Sequence, residues 1–317
     1  MSQLTFSELE FTHKKRKTRR EVFLEKLEKL LPWVKLQVPI SRYYAKPGPQ
    51  GGRPSYSLET MLRIHVMQLI YNLSDPAMED ALYEIESMRR FAGLKLDRIP
   101  DETTILNFRH LLERQGLGRK LFKQINRHLC DHGLMLREGS IVDATIIAAP
   151  SSTKNEKGQR DDDMHQVKKG NEWHFGMKMH IGVDEALGLI HSMETTPANE
   201  HDVTVADKLL HGEEDRVWGD AGYAGIEKRA EHQHRDVDWL VAMRPGKRRM
   251  LPTRSALAQA EKAKASVRAK VEHSFFYIKR VFGYSKVRYR GLEKNTNRLY
   301  VLAGLANLLR SQKYLLA

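Results

Sequence analysis

Apolar residues in the first part of the chain recur at the spacing of amphipathic helices. The windows that show this spacing are residues 20–31, 57–72, 76–91, 102–115 and 118–132. Ser57 and Asp101 are predicted to be N-caps of two of these helices. The glycines predicted to end helices are Gly93, Gly116 and Gly133. Residues 46–54 are rich in proline and glycine and predict a connecting loop.

The pattern changes to that of β-structure after this helical part. Residues 141–149 form a short apolar run, and residues 173–183 alternate strictly between apolar and polar, as a strand with one buried face does. Residues 187–195 supply a hairpin partner for that strand. The polar residues 151–171 between the first two strands predict a loop.

Helical and strand-like segments alternate in the rest of the chain. They are a helix at 203–210, a strand at 215–219, a helix at 225–233, a strand at 237–242 and a long helix at 255–282. Three strands followed by helix, strand, helix, strand and helix is the order of the ribonuclease H-like fold. We therefore predict an α+β protein with a helical domain at residues 1–136 and a mixed-sheet domain at residues 137–317. The amphipathic residues 295–316 are expected to dock on the core, or alternatively to form a dimer contact.

The distribution of charge is more informative than its total. The chain of 317 residues has a net charge of +13. Residues 141–240 carry 11 Lys and Arg against 20 Asp and Glu, whereas residues 241–317 carry 18 against 3. An acidic centre within a basic protein suits metal binding in the middle and polyanion binding around it.

The single cysteine and the lack of long apolar runs predict a cytoplasmic protein. Cys130 has no partner for an internal disulfide, which points to a reducing compartment. The basic run at residues 14–20 is not followed by the apolar segment of a signal peptide, and no run is long enough to span a membrane. This basic run is equally typical of a DNA backbone contact and of a solvated tail.

Three carboxylates, each in a different local sequence, are the candidate catalytic residues. Asp143 follows an apolar run, Asp220 ends the predicted strand at 215–219, and Glu272 lies on the last long helix. The first and fourth strands are neighbours in the predicted fold, so the two aspartates are expected to lie together. Such oxygen ligands suit two Mg²⁺ or Mn²⁺ ions roughly 4 Å apart, the arrangement that catalyses phosphoryl transfer.

A helical wheel places further candidates beside Glu272. Arg268 and Lys279 share its face, next to an apolar stripe, and are predicted to contact DNA phosphates. The simpler alternative is that Arg268 and Glu272 form an ordinary i,i+4 surface pair. Lys178, on the polar face of the alternating strand, is a further predicted phosphate contact.

Other acidic residues have simpler interpretations. Asp202 is more typical of a helix cap than of a catalytic residue, by its position after the Thr-Pro-Ala-Asn turn. The consecutive residues 161–163, all aspartate, favour a solvated loop over a metal site, because neighbouring carboxylates point in different directions.

The chain resembles the DDE transposases of bacterial insertion sequences, and is most similar to the insertion sequence five group of the insertion sequence four-like superfamily. The motifs that carry the resemblance are residues 54–62, Asp101-Glu-Thr-Thr104, Val142-Asp-Ala-Thr145, the strand at 173–180, Thr196-Pro-Ala-Asn199, Gly219-Asp-Ala-Gly-Tyr223 and the spacing of Arg268, Glu272 and Lys279. Ala265 stands where the superfamily often has a tyrosine. The resemblance extends over nearly the whole chain.

The resemblance implies a set of roles. Asp143, Asp220 and Glu272 would hold Mg²⁺, or Mn²⁺ in its place, while the protein cuts the DNA ends of a mobile element and joins the freed 3′-hydroxyls to a target. The helical domain would bind the terminal inverted repeats. Synapsis of two ends implies a homodimer, acting in the bacterial cytoplasm at the nucleoid. The competing hypotheses are a nuclease that cuts without joining and a regulatory, inactive DNA-binding relative.

Overall fold

The structure is a computed structural model that describes residue 11 and residues 13–44, 55–135, 138–156 and 158–316. The predicted loop at residues 46–54 lies outside the described residues. So do residues 136 and 137, where the boundary between two domains is predicted. That boundary therefore stays a prediction.

The first part of the chain is helical, as predicted. Its helices are α1 (Arg19–Leu30), α2 (Trp33–Ser41), α3 (Leu58–Ile70), α4 (Asp75–Glu84), α5 (Glu86–Phe91), α6 (Glu102–Arg114) and α7 (Leu117–Asp131). Ser57 and Asp101 accept hydrogen bonds from Thr60 N and Thr104 N, which confirms both as N-caps. The three predicted helix-ending glycines, Gly93, Gly116 and Gly133, have positive φ angles directly after helices.

Two details of the helical part differ from the prediction. Helix α2 was not predicted, and the single helix expected at 76–91 is divided in two at Ile85, whose backbone is extended. The guanidinium of Arg89 donates to the carbonyls of Leu82 and Tyr83, both at 2.8 Å. These bonds satisfy carbonyls at the end of α4 and so stabilise the break.

A six-stranded mixed sheet follows. Its strands are β1 (Gly139–Ala148), β2 (His165–Lys169), β3 (Glu172–Asp184), β4 (Ile190–Pro197), β5 (Arg216–Gly219) and β6 (Asp238–Val241). The order is β2-β3-β1-β5-β6, and β4 also pairs with β3. Strands β1 to β4 pair in antiparallel fashion, whereas β5 runs parallel to β1 and to β6. This topology confirms the predicted ribonuclease H-like fold.

Residues 151–171 were predicted to form a loop, but the structure has the strand β2 within them. It forms a hairpin with the first residues of β3, pairing Lys169 with Glu172 and His165 with Gly176. Most of its side chains are exposed, on both faces. A strand that buries neither face shows no apolar alternation, so its sequence looks like that of a polar loop.

The connections after β4 are shorter and tighter than predicted. The helix expected at 203–210 is a 3₁₀ turn (Asp202–Thr204) followed by α8 (Ala206–Leu209). The helix expected at 225–233 is wrong, because the chain forms the 3₁₀ turns Ile226–Lys228 and Ala230–His232 there. Helix α9 (Pro245–Arg249) was not predicted.

The two last long helices complete the fold. Helix α10 (Ala256–Phe276) continues directly into a π-helical turn (Tyr277–Val281), and α11 (Leu292–Leu315) ends the described chain. Asp161 and Asp163 accept hydrogen bonds from Gly291 N at 2.7 Å and Leu292 N at 2.9 Å. Residues 161–163 form a largely exposed loop, as predicted, and from it Asp161 and Asp163 cap the first turn of α11.

Helix α11 joins the helical part to the sheet, which confirms that it docks on the core. Asn307 accepts from Ile190 N at 2.8 Å and donates to Ile190 O at 2.7 Å on β4, and it also donates to Asn126 on α7. Buried apolar residues of the helices and of most of the sheet form one continuous cluster, and a second, smaller cluster includes Val142, Val217 and Tyr223. Among the described residues, no helix has the length and apolar character needed to cross a membrane.

Candidate active site

Asp143 and Asp220 follow residues that pair directly in the sheet. Val142 of β1 lies opposite Gly219 of β5 in the parallel register, and each is followed by its aspartate. Neighbouring strands are about 4.8 Å apart. The fold therefore places the two predicted aspartates side by side, although they are far apart in the sequence.

Asp143 is largely buried and surrounded mainly by negative charge. Its side chain is 14% exposed, and Oδ1 accepts a hydrogen bond from Ala144 N at 2.7 Å. Burial and the charge of Asp220, with a smaller contribution from Glu272, raise the pKa of Asp143 to about 7 against the opposing effect of Arg268. The carboxylate thus lies where a negative charge is disfavoured unless a cation is added.

Asp220 directly follows β5 and is the N-cap of the 3₁₀ turn Ala221–Tyr223. Its Oδ1 accepts a hydrogen bond from Gly222 N at 2.8 Å. A Cβ atom on Gly222 would lie 2.9 Å from Asp220 Oδ1 and 3.4 Å from Oδ2 of Asp202. The glycine therefore lets the Asp202 carboxylate approach the Asp220 turn closely.

Helix α10 brings Glu272 and Arg268 to the two aspartates. The helix begins at the N-cap Ser255 and packs on the core through Val271 and Phe275, which are buried, while Glu272 is exposed. Arg268 Nη2 lies 3.9 Å from Asp143 Oδ2. Because Arg268 reaches Asp143, it is more than a surface partner of Glu272.

Lys279 lies on the π turn that follows α10. Burial lowers the pKa of Lys279, as does the charge of Lys169, whereas Glu272 acts in the opposite direction. Lys169 and Lys279 therefore share one electrostatic environment beside Glu272. Isolated π turns within helices are frequent at functional sites.

Lys178 lies inside the protein, away from free solvent. Its side chain is 12% exposed, and Nζ donates to Asp202 Oδ1 at 2.9 Å and to the carbonyl of Glu200 at 2.6 Å. The prediction that Lys178 contacts a phosphate stays a prediction, but its ammonium already has two partners.

Asp202 is a residue whose role the sequence did not indicate. The N-cap of its 3₁₀ turn is His201, without a side-chain hydrogen bond, so the cap predicted at Asp202 is wrong. Its carboxylate instead pairs with Lys178, and its Oδ1 lies 3.7 Å from Nδ1 of His180. No local sequence pattern indicates these contacts, because Lys178 and His180 lie on a strand that is distant from Asp202 in the sequence.

His180 and Tyr223 are fully buried next to these carboxylates. Burial lowers the pKa of His180 to about 4, so the ring is neutral at physiological pH, and Nε2 is hydrogen bonded to Thr196 Oγ1 at 2.8 Å. Burial raises the pKa of Tyr223, and the charges of Asp202, Asp143 and Asp220 raise it further. Within the described chain, the Tyr223 hydroxyl has no hydrogen-bond partner.

The carboxylates are not arranged as a closed metal cage. In the part of the chain that the structure describes, no three His, Cys, Asp or Glu side chains are close enough together to hold an ion. The pairing of Val142 with Gly219 brings the two aspartates together, and Glu272 acts on them electrostatically from α10.

The basic run at residues 14–20 is partly neutralised within the helical part. Lys14 pairs with Glu21, and Lys17 pairs with Glu25 at 2.6 Å. Two of its cations thus have partners on α1.

A mixed sheet of this topology, with Asp143 on β1 beside Asp220 directly after β5, is the arrangement of the ribonuclease H-like class of enzymes that act on nucleic acids. The family model described as "Transposase DDE domain" matches residues 135–308, and that described as "Transposase domain (DUF772)" matches residues 11–111. The chain belongs to the DDE transposase family. No solved structure matches the chain.

Proposed function

We propose that this protein is an insertion-sequence transposase of the insertion sequence five group. It binds the terminal inverted repeats of its element, cleaves the DNA at the element ends and joins the 3′-hydroxyls to target DNA. The observation that carries the proposal is the pairing of β1 with β5, which sets Asp143 beside Asp220 under the helix that bears Glu272.

We propose that Asp143, Asp220 and Glu272 hold divalent metal ions, Mg²⁺ or Mn²⁺. The raised pKa of Asp143 supports this assignment, because the neighbouring carboxylates repel one another and a divalent cation offsets that repulsion. Oxygen donors are the ligands these hard cations prefer. When bound, the metal ions activate the attacking oxygen and stabilise the leaving oxygen.

The basic residues around Glu272 support DNA binding at the same place. Within the described residues, Lys169, Lys279 and Arg280 form no ion pair, and the charges of Lys169 and Arg280 act on Lys279 beside Glu272. Cations without carboxylate partners near the site are free to contact phosphates. Arg268, 3.9 Å from Asp143, is placed to bind a phosphate next to the metal ligands.

The proposal extends to assembly and place of action. Two element ends must be held together for joining, so the active form is a homodimer. It acts in the bacterial cytoplasm, on nucleoid DNA.

The metal assignment is tested with Asp143→Asn. This change keeps the size of the side chain and removes its charge, so end binding stays at the wild-type level while cleavage falls by about 100-fold or more. Gel-shift and end-cleavage assays on labelled element ends measure the two activities separately. The matched control is Asp238→Asn, an exposed aspartate on β6, which leaves both activities unchanged.

The same experiment separates the alternative functions. Wild-type cleavage without joining of a precut 3′-hydroxyl end would identify a nuclease. Wild-type end binding without cleavage would identify a regulatory, inactive relative. Cleavage that persists in Asp143→Asn would show that the metal ligands are assigned wrongly.

A further inference from the structure

The chain between β6 and α10 concentrates positive charge on the surface. Residues 239–260 include five Lys or Arg and no Asp or Glu. All five are exposed, and residues 244–254, which contain them, are called the basic connection: Arg244, Lys247, Arg248, Arg249 and Arg254. Within the described residues none of the five forms an ion pair, and the next acidic residue along the chain, Glu261, pairs with Lys264 at 2.9 Å instead. Like charges held this close repel one another, so a polyanion that lies against them is bound favourably.

The basic connection leaves the sheet beside Asp220. Strands β5 and β6 are parallel, with Gly219 opposite Val241, and Ala242 N donates to Gly219 O at 2.9 Å. Asp220 directly follows Gly219, and the first cation, Arg244, follows two residues after Ala242. The carboxyl ends of neighbouring parallel strands lie at one edge of a sheet, about 4.8 Å apart. The candidate catalytic aspartate and the basic connection therefore start from the same place.

A buried carboxylate on α10 fixes the start of the basic connection. Glu261 is 2% exposed, and its Oε2 accepts a hydrogen bond from Met243 N at 2.9 Å. Its partner Lys264 donates from Nζ to the carbonyl of Val241 at 3.0 Å. These bonds hold the end of β6 against α10, and Ser255 caps that helix at the other end of the connection. The five cations thus lie on an exposed segment that is anchored at both ends.

The basic connection and Lys169 lie on opposite sides of the two aspartates. In the sheet order β2-β3-β1-β5-β6, the strands that position the aspartates are in the middle, and β2 and β6 flank them. Both flanking strands run parallel to β1, so Lys169, at the end of β2, and Arg244, after β6, follow strands of the same direction. The width from β2 to β6 is about 19 Å. This is the length of about six base pairs of DNA.

We infer that the basic connection binds the phosphate backbone of the element-end DNA, on the side of the cleaved bond opposite to Lys169 and Lys279, and that Glu261 positions it there. The inference rests on the proposed function, because it adds a second contact to the same DNA. Contacts from Lys and Arg to phosphates fix the register of a duplex without reading its bases. The basic connection would therefore hold the duplex across the carboxylates and would not select its sequence.

End binding by Lys247→Ala and Arg249→Ala tests the phosphate contacts. Each variant lowers the slope of log affinity against log salt by about one unit. Arg249→Lys retains the charge, and Lys208→Ala removes an exposed charge on α8, so both controls keep the wild-type slope. Wild-type slopes in both alanine variants overturn this inference and leave the proposed function standing. A wild-type protein that binds no element end overturns both.

Cross-linking from a single cysteine tests which side of the cleaved bond the basic connection contacts. Cys130 is the only cysteine of the chain, so Cys130→Ser allows a photoreactive group to be attached at Lys247→Cys in one protein and at Lys169→Cys in another. We expect the two probes to label nucleotides on opposite sides of the cleavage site, about six base pairs apart. Labelling on the same side overturns the inference. So does an absence of labelling from position 247 while end binding persists.

Glu261→Gln tests the positioning role. The glutamine still accepts a hydrogen bond from Met243 N, but it loses the charge that holds Lys264. DNA must then order the basic connection, so end affinity falls by about three- to tenfold, while the salt slope stays at the wild-type value because every phosphate contact remains. Glu227→Gln, an exposed glutamate after β5, is the control with the same change in charge and keeps the wild-type affinity. Wild-type affinity in Glu261→Gln, or a lower melting temperature alone, overturns the positioning role.

Discussion

At the scale of single residues, the site concentrates negative charge where water has little access. Burial and the charges of Asp220 and Glu272 raise the pKa of Asp143 to about 7, and Arg268 opposes them from 3.9 Å. An ionised carboxylate in this position is unfavourable for the stability of the protein by itself, but a bound cation would offset its charge. The positions of the carboxylates also depend on neighbouring residues that lack a bulky side chain, and Gly222 is the clearest example.

Gly222→Ala is expected to disturb the site without disturbing the fold. The new Cβ would lie 2.9 Å from Asp220 Oδ1, so the Asp220 carboxylate must move. Displacement of a catalytic group by a fraction of an ångström to 1 Å lowers activity by about 10- to 100-fold. Cleavage of labelled element ends measures this loss, and thermal unfolding measures the fold.

The control for this glycine is Gly246→Ala on α9. A Cβ at Gly246 meets no atom within 4 Å, so cleavage and melting temperature remain unchanged. Equal activity of Gly222→Ala and the wild type would show that the spacing of Asp202 and Asp220 is not critical.

At the scale of residues, the sequence predicted where the two aspartates lie in the sheet. The Gly-Asp-Ala-Gly-Tyr motif placed Asp220 directly after the strand β5, and the apolar run at 141–149 placed Asp143 on the neighbouring strand β1. Asp202 was misread as a cap because its partners, Lys178 and His180, lie on a strand that is distant in the sequence. A pattern of nearby residues contains no information on such a long-range pair.

At the scale of elements, α10 and its π turn bring the basic residues to the carboxylates. A wheel at a constant angle per residue placed Glu272 and Lys279 on one face. The structure instead has a π turn at Tyr277–Val281, yet the charges of Glu272 and Lys279 still act on each other. Glu272 and Lys279 therefore lie near each other, as predicted, although the helix that joins them is not regular.

Arg268→Ala and Lys279→Ala are each expected to weaken end binding by removing a phosphate contact. Each lost contact lowers the slope of log affinity against log salt by about one unit. Titrations of a labelled element end at several salt concentrations measure the slope. Lys262→Ala, an exposed lysine on α10, is the control and keeps the wild-type slope. Unchanged slopes in both site variants would contradict the proposed DNA path.

Strands with one apolar face were predictable, and elements without such a face were not. The alternation in β3 indicated a strand because Met177, Met179 and Ile181 lie on one side, although the other side, which includes His180, is also buried in the structure. Strand β2 and the 3₁₀ turns after β5 contain few buried side chains, so tertiary contacts rather than periodicity determine them.

At the scale of the whole molecule, α11 ties the helical part to the sheet. Gly118 of α7 allows the closest approach, because its N–H donates to Asn297 Oδ1 at 2.7 Å. A Cβ at Gly118 would lie 2.2 Å from the backbone oxygen of Asn297. The sequence predicted that the last helix docks on the core, but not that it holds both parts together.

Gly118→Ala is therefore expected to destabilise the whole chain. The clash forces α7 away from α11 and lowers the free energy of unfolding by about 1–3 kcal/mol. Because the larger apolar cluster contains residues of both the helical part and the sheet, scanning calorimetry should give one transition in the wild type and a single, lower transition in the variant. Separate transitions for the two parts would contradict a shared core.

The central claim is metal-dependent cleavage at the element ends, and one assay tests it directly. DNA flanking the gene, labelled at the presumed ends, is incubated with the wild type or Asp220→Ala in Mg²⁺, Mn²⁺ or EDTA. We expect nicking at a defined end that requires a divalent ion and is absent in Asp220→Ala. Cleavage in EDTA, or equal cleavage by Asp220→Ala, would contradict the assignment of the carboxylates as the catalytic centre.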